Sequence, residues 1–203
     1  MTIRHIFGTL ALAATTWQPV RVHAQTGAQG PELTAAEVES LQMAQEMTFM
    51  CNPQRHQVMT GSESMIRRTA GDLPGTAALI RSAEGTFLVL EAYDDSQAGH
   101  CLVLGWFGGE LEAGTYPIRQ LAMATLEEEV DTGRHAFFTF TAVRAPDESS
   151  TLVTEAGTLE IESMEPGRLT GSFSLSGFSV EGGTRTDGVS VQGSFTALEQ
   201  DGL

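Results

Sequence analysis

The sequence predicts a mainly β protein: an antiparallel β-sandwich or small closed barrel of about eight strands, preceded by one N-terminal α-helix. Three observations predict it. From about residue 75 onward, short runs alternate apolar with polar side chains and are rich in β-branched and aromatic residues. Turn signals separate the runs at Ala83-Glu84-Gly85, Asp94-Asp95-Ser96, Gly108-Gly109, Asp131-Thr132-Gly133, Pro146-Asp147, Glu165-Pro166-Gly167 and Glu181-Gly182-Gly183. A helix-start signature stands upstream of all of them, at Thr34-Ala35-Ala36-Glu37.

Residues 1–24 read as a secretory signal peptide. Arg4 and His5 give a short basic start, and Ile6 to Trp17 is an apolar stretch interrupted by Gly8, Thr9, Thr15 and Thr16. Pro19 breaks it, and Val22-His23-Ala24 places short side chains at −3 and −1 before Gln25. The stretch is too short and polar to span a bilayer, so cleavage after Ala24 and a periplasmic or secreted protein are expected. The 203 residues include 26 acidic and 11 basic ones, all Arg, for a net charge of −15. Without residues 1–24, 179 residues remain, with nine basic side chains and a net charge of −17. That is one domain with a sizeable core. So acidic a chain repels nucleic acid and anionic surfaces and is kept soluble by its charge. Neither nucleic acid nor integral membrane association is expected.

Residues 25–33 read as a flexible leader and 34–200 as a single domain. Its helix, predicted over 34–50, has Thr34 as N-cap and Glu37 reaching back. Val38, Leu41, Met47 and Met50, with Ala44 or Gln45 between, would form its apolar face, and Asn52-Pro53 would stop it. Met43, Met47 and Met50 are read as core packing. The two Cys, Cys51 and Cys101, are expected to form a disulfide, since an exported chain meets an oxidising compartment. On the chain-entropy model a loop of this length contributes about 4 kcal/mol.

Strands are predicted near 76–82, 86–93, 101–107, 115–121, 135–144, 157–163, 168–176 and 189–198. Segments 86–93 and 101–107 are apolar on both faces, whereas the last three alternate and should keep one solvated face. Residues 122–130 read as a short helical crossing or an irregular strand. Gly-Thr opens segments 75–77, 85–87, 114–116 and 157–159 and reads as a repeated strand start. Leu169-Thr170-Gly171-Ser172-Phe173-Ser174-Leu175 is echoed by Val191-Gln192-Gly193-Ser194-Phe195-Thr196-Ala197. Alternation turns Phe173 and Phe195 inward, with Gly171 and Gly193 on the same face, leaving room for a neighbour's ring or for strand bending.

Chemistry is sparse. Gly61-Ser62-Glu63-Ser64 and several Gly-Ser pairs are present, but no G-x-S-x-G elbow. His56, His100 and His135, the His residues beyond the signal, lack the spacing of zinc ligands. His100 and Cys101 are strand neighbours and point to opposite faces, so they do not share a site. No cofactor is expected. Calcium, bound by hard oxygen donors, has candidates in Asp94 and Asp95, and in Glu127, Glu128, Glu129 and Asp131. Tyr93, Trp106 and Tyr116 are few for a sugar platform, and Trp106 alternates with Leu102 and Leu104 as a core residue would. The expected function is a non-catalytic binding or structural module, its partner an unspecified protein or small molecule. One alternative is a barrel for a small apolar ligand, with Phe87, Phe138, Phe140, Phe173 and Phe195 lining a cavity. Another is an extracytoplasmic hydrolase with dispersed catalytic residues.

Overall fold

The alternating runs become a wall that closes on itself. The computed structural model describes residues 32–46, 50–51, 60–68, 71–81, 85–93, 99–106, 111–120, 136–145 and 148–200. Among these, helix α1 (Ala35–Glu46) precedes nine strands. They are β1 (Glu63–Arg68), β2 (Gly71–Arg81), β3 (Thr86–Tyr93), β4 (Gly99–Trp106), β5 (Gly114–Arg119), β6 (Ala136–Ala145), β7 (Glu148–Glu165), β8 (Arg168–Glu181) and β9 (Thr184–Gln200). Their spatial order is β1-β2-β3-β4-β6-β5-β7-β8-β9, and β9 returns to β1 from Glu63↔Thr196 to Arg68↔Val191. Among the described strands, closure leaves no long unpaired edge.

Two short strands act as wedges. β1 lies between the N-terminal part of β2 and β9; beyond it, β2 and β9 pair directly and in parallel, from Ala77↔Ala197 to Ile80↔Gln200. β5 lies between β7 and the start of β6, and β6 and β7 pair directly past it, from Thr139↔Val153. Ser62 finishes the first wedge. Its hydroxyl donates to the Ala77 carbonyl at 2.6 Å and accepts from the Ala77 N–H at 2.7 Å. One side chain thus satisfies both backbone groups of a buried residue where β1 begins.

The inner face carries one apolar cluster. Leu79, Leu88, Leu90, Leu102, Leu104, Ile118, Leu159, Leu169, Phe173 and Phe195 all belong to it. The sequence echo is structural. Gly171 stands opposite Phe195, and Phe173 opposite Gly193, on adjacent strands. A Cβ at Gly171 would meet Phe195 Cζ at 2.8 Å, and one at Gly193 would meet Phe173 Cζ at 2.4 Å. Each ring therefore covers the partner strand's glycine, which occupies the space a side chain would take.

The sheet is apolar on its outer face as well, along β2–β4 and at Val153 and Phe178. α1, with Met50 and Cys51, covers that surface in two clusters. Leu41 packs with Val153 and Phe178. Met43 and Met50 pack with Ile80, Phe87, Val89, Cys101 and Val103. On β8 and β9 the outward face is largely polar, with Ser174, Ser176, Ser190 and Gln192 exposed.

Several expectations are corrected. β1 was not predicted. β2 begins at Gly71 rather than 76, and β7, β8 and β9 extend past their predicted ends. Gly85 and Gly114 do stand at strand starts, but Gly75 and Gly157 lie inside strands. There a Cβ would meet the carbonyl oxygens of Glu91 and Ser174 at 2.0 and 2.5 Å, so close approach of the next strand selects glycine. Val38 is exposed, and the buried face of α1 is Ser40, Leu41, Met43 and Ala44. Ser40 is tolerated there because its hydroxyl donates to the Ala36 carbonyl at 2.9 Å. α1 ends at Glu46, and 47–49, 52–53 and 122–130 lie outside the described residues. The Glu181-Gly182-Gly183 signal is borne out. Gly182 and Gly183 have φ of 56° and 81°, as a two-residue hairpin with both central residues left-handed requires.

Candidate functional site

The capping box forms as its residue types dictate. The Thr34 N–H donates to Glu37 Oε2 at 2.7 Å, the Thr34 hydroxyl donates to the same oxygen at 2.8 Å, and the Glu37 N–H donates to Thr34 Oγ1 at 3.3 Å. The other Glu37 oxygen, Oε1, accepts from Arg185 Nη1 of β9 at 2.6 Å. Arg185 Nε donates to Asp187 Oδ1 at 2.6 Å, and its guanidinium lies 4.0 Å from the Phe178 ring centroid. The Thr34 backbone N–H, and then Arg185, hold the Glu37 carboxyl below its ordinary value. Asp187, and then Glu37, raise Arg185. The N-terminus of α1 is therefore clamped to β9 across a buried aromatic.

From that clamp the segment crosses the outer face. Ser40 accepts from Gln120, just past β5, at 3.2 Å. Met43 and Met50 then reach the β2–β4 cluster. The crossing ends at the Cys51–Cys101 disulfide, with the two Cα atoms 6.1 Å apart. The predicted pairing is thus present, and it ties the N-terminal segment to β4.

Residue 100 and residue 101 separate as strand geometry requires. His100 stands opposite Ala92, a member of the inner cluster, and Cys101 stands opposite Glu91. His100 is buried inside the barrel wall. Ser64 is buried on β1 beside Gly75 and Phe195, and its hydroxyl has no hydrogen-bond partner among the described residues. On the outer face Thr76 and Glu91 are buried and directly opposed, in the row that continues to Cys101.

Of the other candidates, Asp94, Asp95, Glu127, Glu128, Glu129, Asp131, His56 and His135 lie outside the described residues. Among the described residues no group of three or more His, Cys, Asp or Glu side chains could hold a metal ion. Tyr116 packs against the inner cluster, and its hydroxyl donates to the Glu112 carbonyl at 2.8 Å, an anchoring role. Of the five Phe proposed to line a cavity, Phe173 and Phe195 are internal, but Phe87 belongs to the outer cluster under Met43. Phe138 and Phe140 are placed only by register, opposite Leu104 and Leu102.

Sequence reasoning missed Arg185, Phe178 and Glu91. Arg185 reads as a solvated charge two residues after a Gly-Gly turn. The one available signal was that Phe178 falls on the outward parity of β8, an apolar side chain in the row of Ser174 and Ser176.

A scan against protein-family models, a search of curated proteins and a search of solved structures each returned no match.

Proposed function

We propose that this chain is an exported, non-catalytic β-barrel module, periplasmic or secreted, that acts as a binding or structural element and does not enclose its ligand. The carrying observation is the filled inner face, where Phe173 and Phe195 lie over Gly193 and Gly171 within a continuous apolar cluster. A barrel for a small apolar ligand would need space where those rings lie. Export is supported by the signal-like residues 1–24 and by the disulfide, a bond that persists in oxidising compartments. Among the described residues no helix is long and apolar enough to cross a membrane. A membrane barrel is opposed by the side-chain pattern. Such barrels are apolar outside and polar inside, whereas β8 and β9 turn Ser174, Ser176, Ser190 and Gln192 outward and Phe173, Leu175, Val191 and Phe195 inward.

The test is titration of the mature protein with a long-chain fatty acid and with an anionic naphthalene fluorophore. The proposal expects no saturable site at micromolar probe. One-to-one saturable binding would establish the enclosed-ligand alternative. N-terminal sequencing of protein recovered outside the cytoplasm should begin at Gln25; protein found only in the cytoplasm, with Met1 intact, would overturn the export reading.

A further inference from the structure

We propose that α1 with Thr34, Met50 and Cys51 forms a redox-latched strap, a cover held by the Cys51–Cys101 bond that leaves the outer face when the bond is reduced, while the barrel stays closed. The first argument is topological. The strand ladder is complete from Glu63 to Gln200 and returns to β1 without any contribution from the strap. Lifting the strap breaks no strand–strand hydrogen bond. The second concerns what is covered: Ile80, Phe87, Val89, Val103, Val153 and Phe178, an apolar surface on a wall whose opposite side is already packed. Such a face needs a cover and becomes available when the cover moves.

The third argument is how the strap is held. Its anchors include the Glu37–Arg185 pair and the Ser40–Gln120 contact in its helical half, and the disulfide at its far end. α1 has 12 residues, a length at which an isolated helix is marginal in water, so its helicity depends on docking. The disulfide keeps Met43 and Met50 at high effective concentration over their cluster, and opening it removes that advantage.

The chemistry is thiol–disulfide exchange with an external dithiol. A thiolate of the dithiol attacks the sulfur of Cys51, the more exposed partner, and Cys101 leaves as a thiolate. The second thiol of the reductant then attacks the mixed disulfide and releases Cys51. Two electrons pass from the dithiol, which becomes a disulfide, and both protein sulfurs finish as thiols after taking up two protons.

The test is hydrogen exchange of the full mature chain at neutral pH, oxidised and after dithiothreitol, read by mass spectrometry at peptide level. A Cys51→Ser, Cys101→Ser double variant is examined without reductant. The strap predicts that amides of 35–46 exchange about tenfold or more faster in both opened forms, while peptides of β2–β4 and β7–β9 stay within about twofold of the oxidised protein. Unchanged protection of 35–46 would overturn the latch. Equal acceleration in the barrel, or failure of the double variant to fold, would overturn the claim that the barrel stands without it.

Discussion

Replacing Gly193 with Ala tests the inner packing at its tightest point. The added Cβ would lie 2.4 Å from the Met65 carbonyl oxygen and 2.4 and 2.5 Å from Cζ and Cε1 of Phe173. The ring can swing. The carbonyl cannot, because Met65 is paired with Ser194 in the β1–β9 ladder that closes the barrel. Overpacking of this kind costs about 3 kcal/mol at the upper end of its usual range. Restricting the unfolded chain returns up to about 1 kcal/mol. The net expectation is a loss of about 2 kcal/mol, or roughly 4–8 °C in Tm for a domain of this size. Urea unfolding followed by far-ultraviolet circular dichroism measures it, with the exposed Ser174→Ala as a control expected within about 0.5 kcal/mol of the parent. Adding Phe173→Leu to Gly193→Ala should recover the ring part of the penalty and leave the carbonyl part. If Gly193→Ala alone unfolds within about 0.5 kcal/mol of the parent, the ring does not cover the glycine and the inner face is not packed as described.

Three further outcomes follow from particular contacts. Ser62→Ala leaves the buried N–H and C=O of Ala77 without their hydroxyl partner; a loss of about 1–3 kcal/mol is expected in the same urea assay, and a change below about 0.5 kcal/mol would contradict the capping role. Thr34→Ala removes the N-cap of α1 and should cost about 1 kcal/mol of helix stability, read as faster amide exchange in 35–46 with the barrel midpoint nearly unchanged. Because Glu37 is held below its ordinary value of 4.5, its contribution is present above that pH and is lost as pH falls through the lowered value. Protection of α1 amides should therefore fall from pH 6 to pH 3 in the parent and stay flat in Glu37→Gln; parallel profiles would remove Glu37 as the acid-sensitive contact.

Much of the architecture was legible because local chemistry and tertiary structure agree. Thr34 and Glu37 form the capping box their spacing announces, and the two Gly-Ser-Phe repeats announce paired inner strands. β1 was illegible for a physical reason. Its inward residues are Ser64, Ile66 and Arg68, so the strand shows no apolar period, and one of its two neighbours is β9, more than a hundred residues away. Phe87 was turned the wrong way because β3 is apolar on both faces, and alternation cannot then say which face meets the barrel interior. The clamp at Arg185 joins residues 148 positions apart and leaves no local trace.

The filled interior is tested most directly by nuclear magnetic resonance at two glycines. With Phe195 over Gly171 and Phe173 over Gly193, the Hα protons of both glycines should be shifted upfield by the rings. Each should give nuclear Overhauser effects to its covering ring, unchanged by added fatty acid. Glycine Hα shifts at ordinary positions, with no ring contacts and with ring signals that move on titration, would mean that the barrel holds a cavity and that its ligand goes inside.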